Sequence, residues 1–234
     1  MFKREHHLRV GALLESLNAE LLASRHCYFG GGTAIVLIRE EYRESVDIDF
    51  LVSDVHGYRE LRQAITGPLG INSLARPGCK LSATREIRAD QYGIRTSIDG
   101  GAGVEIKFEI VLEGRISLDR PGANDRVGTI ATLSPVDMAA TKLLANSDRW
   151  MDDGVFSRDL IDLAMLQLPK PSFKKAMQKA ESAYGAAIGR DLNLAVVRLS
   201  ERAGRLDECM SALQISGVPK AVLWSRIRKL KATH

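Results

Sequence analysis

Near the start of the chain, Leu8, Leu13, Leu14, Leu17, Leu21 and Leu22 recur at helical spacing and predict one amphipathic helix over 8–24. A short apolar strand, 26–29, then runs into Gly30-Gly31-Gly32. A helix over 33–40 follows, with Ala34, Ile35, Leu37 and Ile38 on its apolar side. The next strand, 46–52, alternates: Val46, Ile48 and Phe50 fall on one face, Asp47 and Asp49 on the other. Asp54-Val55-His56 reads as loop, and a helix over 58–65 stops at Gly67-Pro68. Alternation returns in strands 91–98 and 104–112, joined by Asp99-Gly100-Gly101-Ala102-Gly103. In the second of these, Val104, Ile106, Phe108 and Ile110 share one face and Glu105, Lys107 and Glu109 the other. A short strand is expected within 127–131. Beyond Ser134-Pro135 the period is helical, over 137–146, 156–167, 172–184, 192–202, 206–213 and 219–230. The pattern predicts an α+β protein with two domains: a mixed sheet flanked by helices over 1–132 and a helical bundle over 133–234.

Composition narrows this picture only modestly. At 234 residues, 45% hydrophobic and 26% charged, the chain has the make-up of an ordinary globular protein. It contains no apolar run of membrane-spanning length, and its first residues lack the apolar core of a signal peptide. Cys27, Cys79 and Cys209 form neither a metal-type pair nor a disulfide framework. These features predict a cytoplasmic protein with no membrane partner. The net charge of +4 is compatible with an anionic partner. Part of it lies in 219–234, a stretch that holds Lys220, Arg226, Arg228, Lys229 and Lys231, most of them in the last predicted helix, and no acidic residue. Val222, Leu223, Ile227 and Leu230 supply that helix with an apolar stripe. Its basic side is either a solvated face or a track for RNA phosphates.

The chemistry concentrates in Asp47-Ile48-Asp49. Residues i and i+2 of a strand lie about 6–7 Å apart on one face. Two carboxylates so placed repel each other unless a cation intervenes, and hard oxygen ligands suit Mg²⁺. Gly31-Gly32-Thr33, opening the preceding helix, offers free backbone N–H groups to a phosphate. A third carboxylate from a neighbouring strand would complete a metal site of the kind that serves phosphoryl and nucleotidyl transfer. Glu109 is the preferred candidate and Glu105 the alternative.

Gly31-Gly32-Thr33-Ala34 followed by Arg43-x-Ser45-x-Asp47-Ile48-Asp49-Phe50 resembles the first motif of the polymerase-β-type nucleotidyltransferases. More narrowly, it is similar to the AbiEii/AbiGii toxin branch, which includes the MenT toxins. Lys107-Phe108-Glu109 resembles that branch's Lys-x-Asp/Glu strand. Asp137-x-x-Ala140-x-Lys142, Arg149 and Arg158-Asp159-x-x-Asp162-Leu163 resemble its helical motifs. The order holds from about Phe29 to Leu166. Tyr42 stands where the family usually has His, and Glu109 where it usually has Asp.

The resemblance implies a polymerase-β-type nucleotidyltransferase sheet followed by a helical bundle. It also implies a nucleoside triphosphate substrate, with Mg²⁺ held by Asp47, Asp49 and Glu109. Gly31, Gly32, Thr33, Arg43, Ser45 and Asp159 are the expected nucleotide-binding residues, and Lys142 is expected to place positive charge on the triphosphate. The expected acceptor is an RNA hydroxyl, the tRNA 3′ end by family likeness. The expected role is a toxin with a cognate antitoxin, or a phage-defence protein. Nucleotidylation of a partner protein and a non-catalytic nucleotide- or RNA-binding module are the competing readings.

Overall fold

The protein is described by a computed structural model over residues 2–231. The chain folds into two compact units, Met1–Ile38 with Ser45–Ser134, and Arg39–Glu44 with Pro135–His234. The short segment 39–44 thus leaves the first unit and belongs to the helical one.

The first unit contains β1 (Cys27–Gly30), α3 (Gly31–Ile38), β2 (Ile48–Val52), α4 (Val55–Thr66), β3 (Arg88–Ala89), β4 (Gly93–Asp99) and β5 (Glu105–Leu112). They are preceded by α1 (Glu5–Glu15) and α2 (Ala19–Ser24) and followed by the two-residue strands β6 (Arg126–Val127) and β7 (Ile130–Ala131). The five longer-range strands form one mixed sheet in the order β1-β2-β5-β4-β3. β2 runs parallel to β5, and the other neighbours are antiparallel.

The buried face of this sheet fixes its register. Phe29, Phe50 and Phe108 are fully buried on three adjacent strands, and their rings tilt against one another with centroids 5.7 Å apart at each step. Ile48, Ile94, Ile98, Ile106 and Ile110 extend the same apolar layer. Each phenylalanine adjoins a residue of the opposite, polar face: Gly30, Asp49 and Glu109. A one-residue slip of β2 or β5 would drive a carboxylate into this layer. Burying each phenylalanine contributes about 1.5–3 kcal/mol against that slip.

The one strand expected within 127–131 is the hairpin of β6 and β7, β3 is not among the expected strands, and two helices also differ from the pattern. The leucine repeat predicts one helix over 8–24, but the helix breaks at residues 16–18. Leu17 forms an isolated bridge with Ala75, and the Asn18 side chain caps α2 by accepting from the Leu21 N–H at 3.0 Å. The segment expected to be loop at 54–56 is the start of α4. Asp54 caps it, accepting from the N–H groups of His56 (3.1 Å) and Gly57 (3.0 Å).

The second unit is helical: α5 (Pro135–Arg149), α6 (Arg158–Leu166), α7 (Lys170–Tyr184), α8 (Ala187–Glu201), α9 (Arg205–Ala212) and α10 (Lys220–Arg228). α5 is its centre, packing on α6, α7 and α8, and α10 packs on α6. On α10, Leu223 and Ile227 are buried, whereas Val222 is 41% exposed, so the inward stripe is narrower than its apolar residues suggest. Among the described residues, no helix is long and apolar enough to cross a membrane.

Candidate active site

On the polar face of the sheet, strand pairing brings the sequence-predicted carboxylates together. Asp49 is the register partner of Glu109 on β5 and of Gly30 on β1. Paired residues project to one face, so Asp49 and Glu109 stand side by side on neighbouring strands, about 4.8 Å apart by strand spacing. Asp47 precedes the first residue of β2 and is half-buried on the segment leading in. Glu105 opens β5 four residues earlier, beyond the end of its pairing with β2, and binds Arg85 at 2.9 Å.

The glycine turn is shaped around Asp49. Gly31 is left-handed, with φ +67°, and a Cβ built on it would overlap the Asp49 carboxylate. The backbone at the N-terminus of α3 therefore lies directly against that carboxylate, an approach only glycine permits. Thr33 is buried, and its hydroxyl shares a 2.8 Å hydrogen bond with the Ser45 hydroxyl. That bond ties α3 to the strand's entry, two residues before Asp47. The His7 ring accepts from the Ser45 N–H at 3.3 Å and steadies the same entry.

Glu109 holds two cations, Lys107 Nζ at 3.1 Å and Arg95 Nε at 3.4 Å. Cations therefore stand where a metal would balance this carboxylate. Among the described residues, no three His, Cys, Asp or Glu side chains gather into a ready-made metal cluster. Mg²⁺ does not require one, since it is commonly held by one or two carboxylates, substrate phosphates and waters. The Asp49–Glu109 pair, with Asp47 beside it, is an oxygen donor set that fits this description.

The remaining predicted residues lie in the helical unit, in one buried charge network. Asp162 is fully buried and receives four donors: Tyr42 Oη at 2.5 Å, Arg43 Nε at 2.8 Å, Arg43 Nη2 at 2.9 Å and Lys142 Nζ at 2.6 Å. Asp159, also buried, receives Lys142 Nζ at 2.9 Å and Arg149 through Nε (2.6 Å) and Nη2 (2.9 Å). Burial alone would raise both carboxylates. Arg43 and Lys142 outweigh it at Asp162, and Lys142 and Arg149 outweigh it at Asp159, so both sit below the usual range. Burial likewise pulls Lys142 down, but Asp162 and Asp159 hold it above its ordinary value. Burial, reinforced by Asp162, keeps the Tyr42 phenol protonated. Arg43 is thus engaged with Asp162 in a bidentate pair, 119 residues away in sequence. Asp159 and Asp162 are interior groups, not exposed helix pairs.

The model of the family described as "Nucleotidyl transferase AbiEii toxin, Type IV TA system" matches residues 12–220. The chain belongs to the AbiEii nucleotidyltransferase family. This AbiEii protein is an α+β nucleotidyltransferase of a toxin–antitoxin family, and nucleotidyl transfer from a nucleoside triphosphate is its activity class. Among solved structures, it resembles a Helicobacter pylori protein assigned as a nucleotidyltransferase. The TM-score is 0.51 and the identity 15%, over 98% of this chain and 96% of that one. JHP933 from Helicobacter pylori matches with TM-score 0.50 and 14% identity, over 97% of this chain and 93% of that one. At such identities these likenesses show the fold. MenT4, a nucleotidyltransferase toxin from Mycobacterium tuberculosis, aligns with TM-score 0.48 and 16% identity, over 98% of this chain and 85% of that one. A comparison of the sequence with curated proteins finds no match. Within the AbiEii chain, the arginines on β3 and β4 had no motif to announce them, and the motif position of Tyr42 did not reveal its bond to Asp162.

Proposed function

We propose that this AbiEii protein is a Mg²⁺-dependent nucleotidyltransferase that moves a nucleoside monophosphate from a nucleoside triphosphate onto an RNA hydroxyl, the tRNA 3′ end by family likeness. The reading is carried by one observation: Asp49 and Glu109 are register partners, with the left-handed Gly31 backbone pressed against Asp49. Carboxylates and a phosphate-facing helix start thereby share one face of one sheet.

In this reading Asp49, Glu109 and Asp47 hold the ion. Bound there, Mg²⁺ supplies charge neutralisation for the phosphates and acidifies the acceptor hydroxyl. The N–H groups of Gly31 and Gly32 face the triphosphate. The Thr33–Ser45 bond keeps that cradle in register with the carboxylates. Asp49 or Glu109 takes the proton of the attacking hydroxyl, and pyrophosphate leaves. Nucleotide-directed parts for Lys142, Asp159 and Arg43 rest on the motif resemblance alone, as do the phage-defence role and the antitoxin's identity.

Incubating the purified chain with each of the four α-labelled nucleotides, Mg²⁺ and total RNA tests the proposal. Label on RNA supports it. Label on protein instead would assign a protein acceptor. Binding of nucleotide without pyrophosphate release would assign a non-catalytic module.

A further inference from the structure

One row of register partners crosses the whole sheet: Gly30, Asp49, Glu109, Arg95 and Arg88, one from each strand. At about 4.8 Å per strand the row spans about 19 Å. The carboxylates occupy its middle, the glycine turn one end and two arginines the other. Beside the arginine end opens a cleft of about 590 Å³, lined by Arg85, Arg88, Arg95 and Lys107 together with Asp47 and Glu109.

Two features make this cleft a site for an anion. Arg88 and Arg95 lie directly opposite each other on neighbouring strands. Like charges in that position destabilise a sheet; Asp90 and Glu109, each 3.4 Å from Arg95, offset the charge on β4, and Arg88 on β3 is exposed. The cleft is lined by four basic and four acidic residues, and two of the acidic ones are Asp47 and Glu109, assigned above to the metal. A divalent cation held there by Asp47, Asp49 and Glu109 leaves the cleft, with Asp49 counted, a surplus of one positive charge. It also takes Glu109 from Lys107, which now faces it at 3.1 Å, and leaves Arg95, now 3.4 Å from Glu109, with only Asp90 at 3.4 Å. The Arg85–Glu105 pair is exposed, so a phosphate can replace its carboxylate at little cost.

Reaction geometry then selects the occupant. In phosphoryl and nucleotidyl transfer the attacking and leaving oxygens lie roughly in line, on opposite sides of phosphorus. With the leaving pyrophosphate at the glycine end of the row, the acceptor arrives from the arginine end. The geometry points to a further function for this cleft: it holds the phosphodiester backbone of the acceptor strand, single-stranded RNA leading to its 3′ hydroxyl. Guanidinium forks on Arg85, Arg88 and Arg95 suit phosphate bidentately. This inference rests on the nucleotidyl-transfer reading above.

Anisotropy titrations of a short fluorescein-labelled single-stranded oligoribonucleotide onto the full chain, at fixed Mg²⁺ and in EDTA, each over a range of salt, test it. An Arg85→Ala/Arg88→Ala variant, with folding checked by circular dichroism, should bind at least about tenfold more weakly. The slope of log affinity against log salt should become shallower by about 1.4, for two lost phosphate contacts at about 0.7 each. Glu109→Gln, which releases Lys107 and removes one of the two carboxylates facing Arg95, should bind RNA more tightly than wild type and gain more than a Glu181→Gln charge control on α7. Wild-type and double-variant affinities within twofold of each other, with equal slopes, overturn the inference. So does equal transfer of label to a protein acceptor by both. If the double variant loses RNA affinity yet the wild type labels no RNA, the nucleotidyl-transfer reading fails and the RNA surface stands. If the wild type labels RNA and the variant binds it normally, the cleft assignment fails alone.

Discussion

Replacing Asp162 by Asn should unfold the helical unit far more readily than any exposed charge change. Asp162 is fully buried and accepts from Tyr42, twice from Arg43, and from Lys142. An amide keeps the size but loses the negative charge, and its NH₂ group presents hydrogens to donors that already point inward. One amide oxygen is left to serve Tyr42, Arg43 and Lys142, so Arg43 loses its bidentate partner and keeps its 2.7 Å bond to the Glu44 carbonyl, while Lys142 keeps Asp159 at 2.9 Å. Removing one partner of a buried pair costs about 3–5 kcal/mol. At about 1–3 kcal/mol per molar urea, the unfolding midpoint should fall by about 1 M or more. Both tryptophans, Trp150 and Trp224, lie in the helical unit, so intrinsic fluorescence reports this transition specifically. Arg43→Met combined with Asp162→Asn should be less destabilised than the two single changes summed, because the stranded guanidinium is gone. A loss below about 1 kcal/mol for Asp162→Asn, the range of an exposed ion pair, would refute the reasoning.

The same network sets a pH window. Asp159 and Asp162 have depressed folded values, so their contribution is complete above the ordinary carboxylate value of about 3.9 and is lost as pH falls through the lower folded values. Lys142 is raised, so its contribution is complete below about 10.4 and is lost only as pH rises through its higher folded value. Urea midpoints of wild type and Asp162→Asn should therefore differ by a constant amount from about pH 5 to 10 and converge below about pH 4. At the sheet, Glu109→Gln should cut nucleotidyl transfer by at least about 100-fold, as expected for a lost charge-stabilising group, while Glu105→Gln stays within a few-fold of wild type in the same labelling assay. Gly31→Ala should cost about 1–3 kcal/mol through backbone strain. It should reduce transfer much more than that loss implies, because its Cβ displaces the Asp49 carboxylate; thermal melts alongside initial rates would separate the two effects.

The carboxylate row was legible because alternation is a local signal. Ile106, Phe108 and Ile110 are buried, and Glu105, Lys107 and Glu109 project from the other face, as their order in the sequence implies. Pairing register is not local, so only the fold sets Glu109 and not Glu105 opposite Asp49. Arg88-Ala89 has no periodicity of its own and becomes a strand only by pairing with β4, which hid the arginine end of the row. Leucine spacing masked the break between α1 and α2, although Asn18, a good helix cap, was its visible marker. Asp54 likewise carried the cap signal of a helix that apolar spacing starts four residues later. No spacing could link Arg43 to Asp162, since nothing in a single sequence reveals which of many charged residues meet across so long a separation.

The central claim is that the Asp49–Glu109 face transfers nucleotide to RNA. The most direct measurement is initial-rate labelling of RNA by wild type and Asp49→Ala with α-labelled nucleoside triphosphates, with and without Mg²⁺, both proteins confirmed as folded. The wild type should give Mg²⁺-dependent label on RNA with release of pyrophosphate, and Asp49→Ala label at background. Undiminished labelling by Asp49→Ala, or a wild type that labels no RNA with any of the four nucleotides, would contradict it.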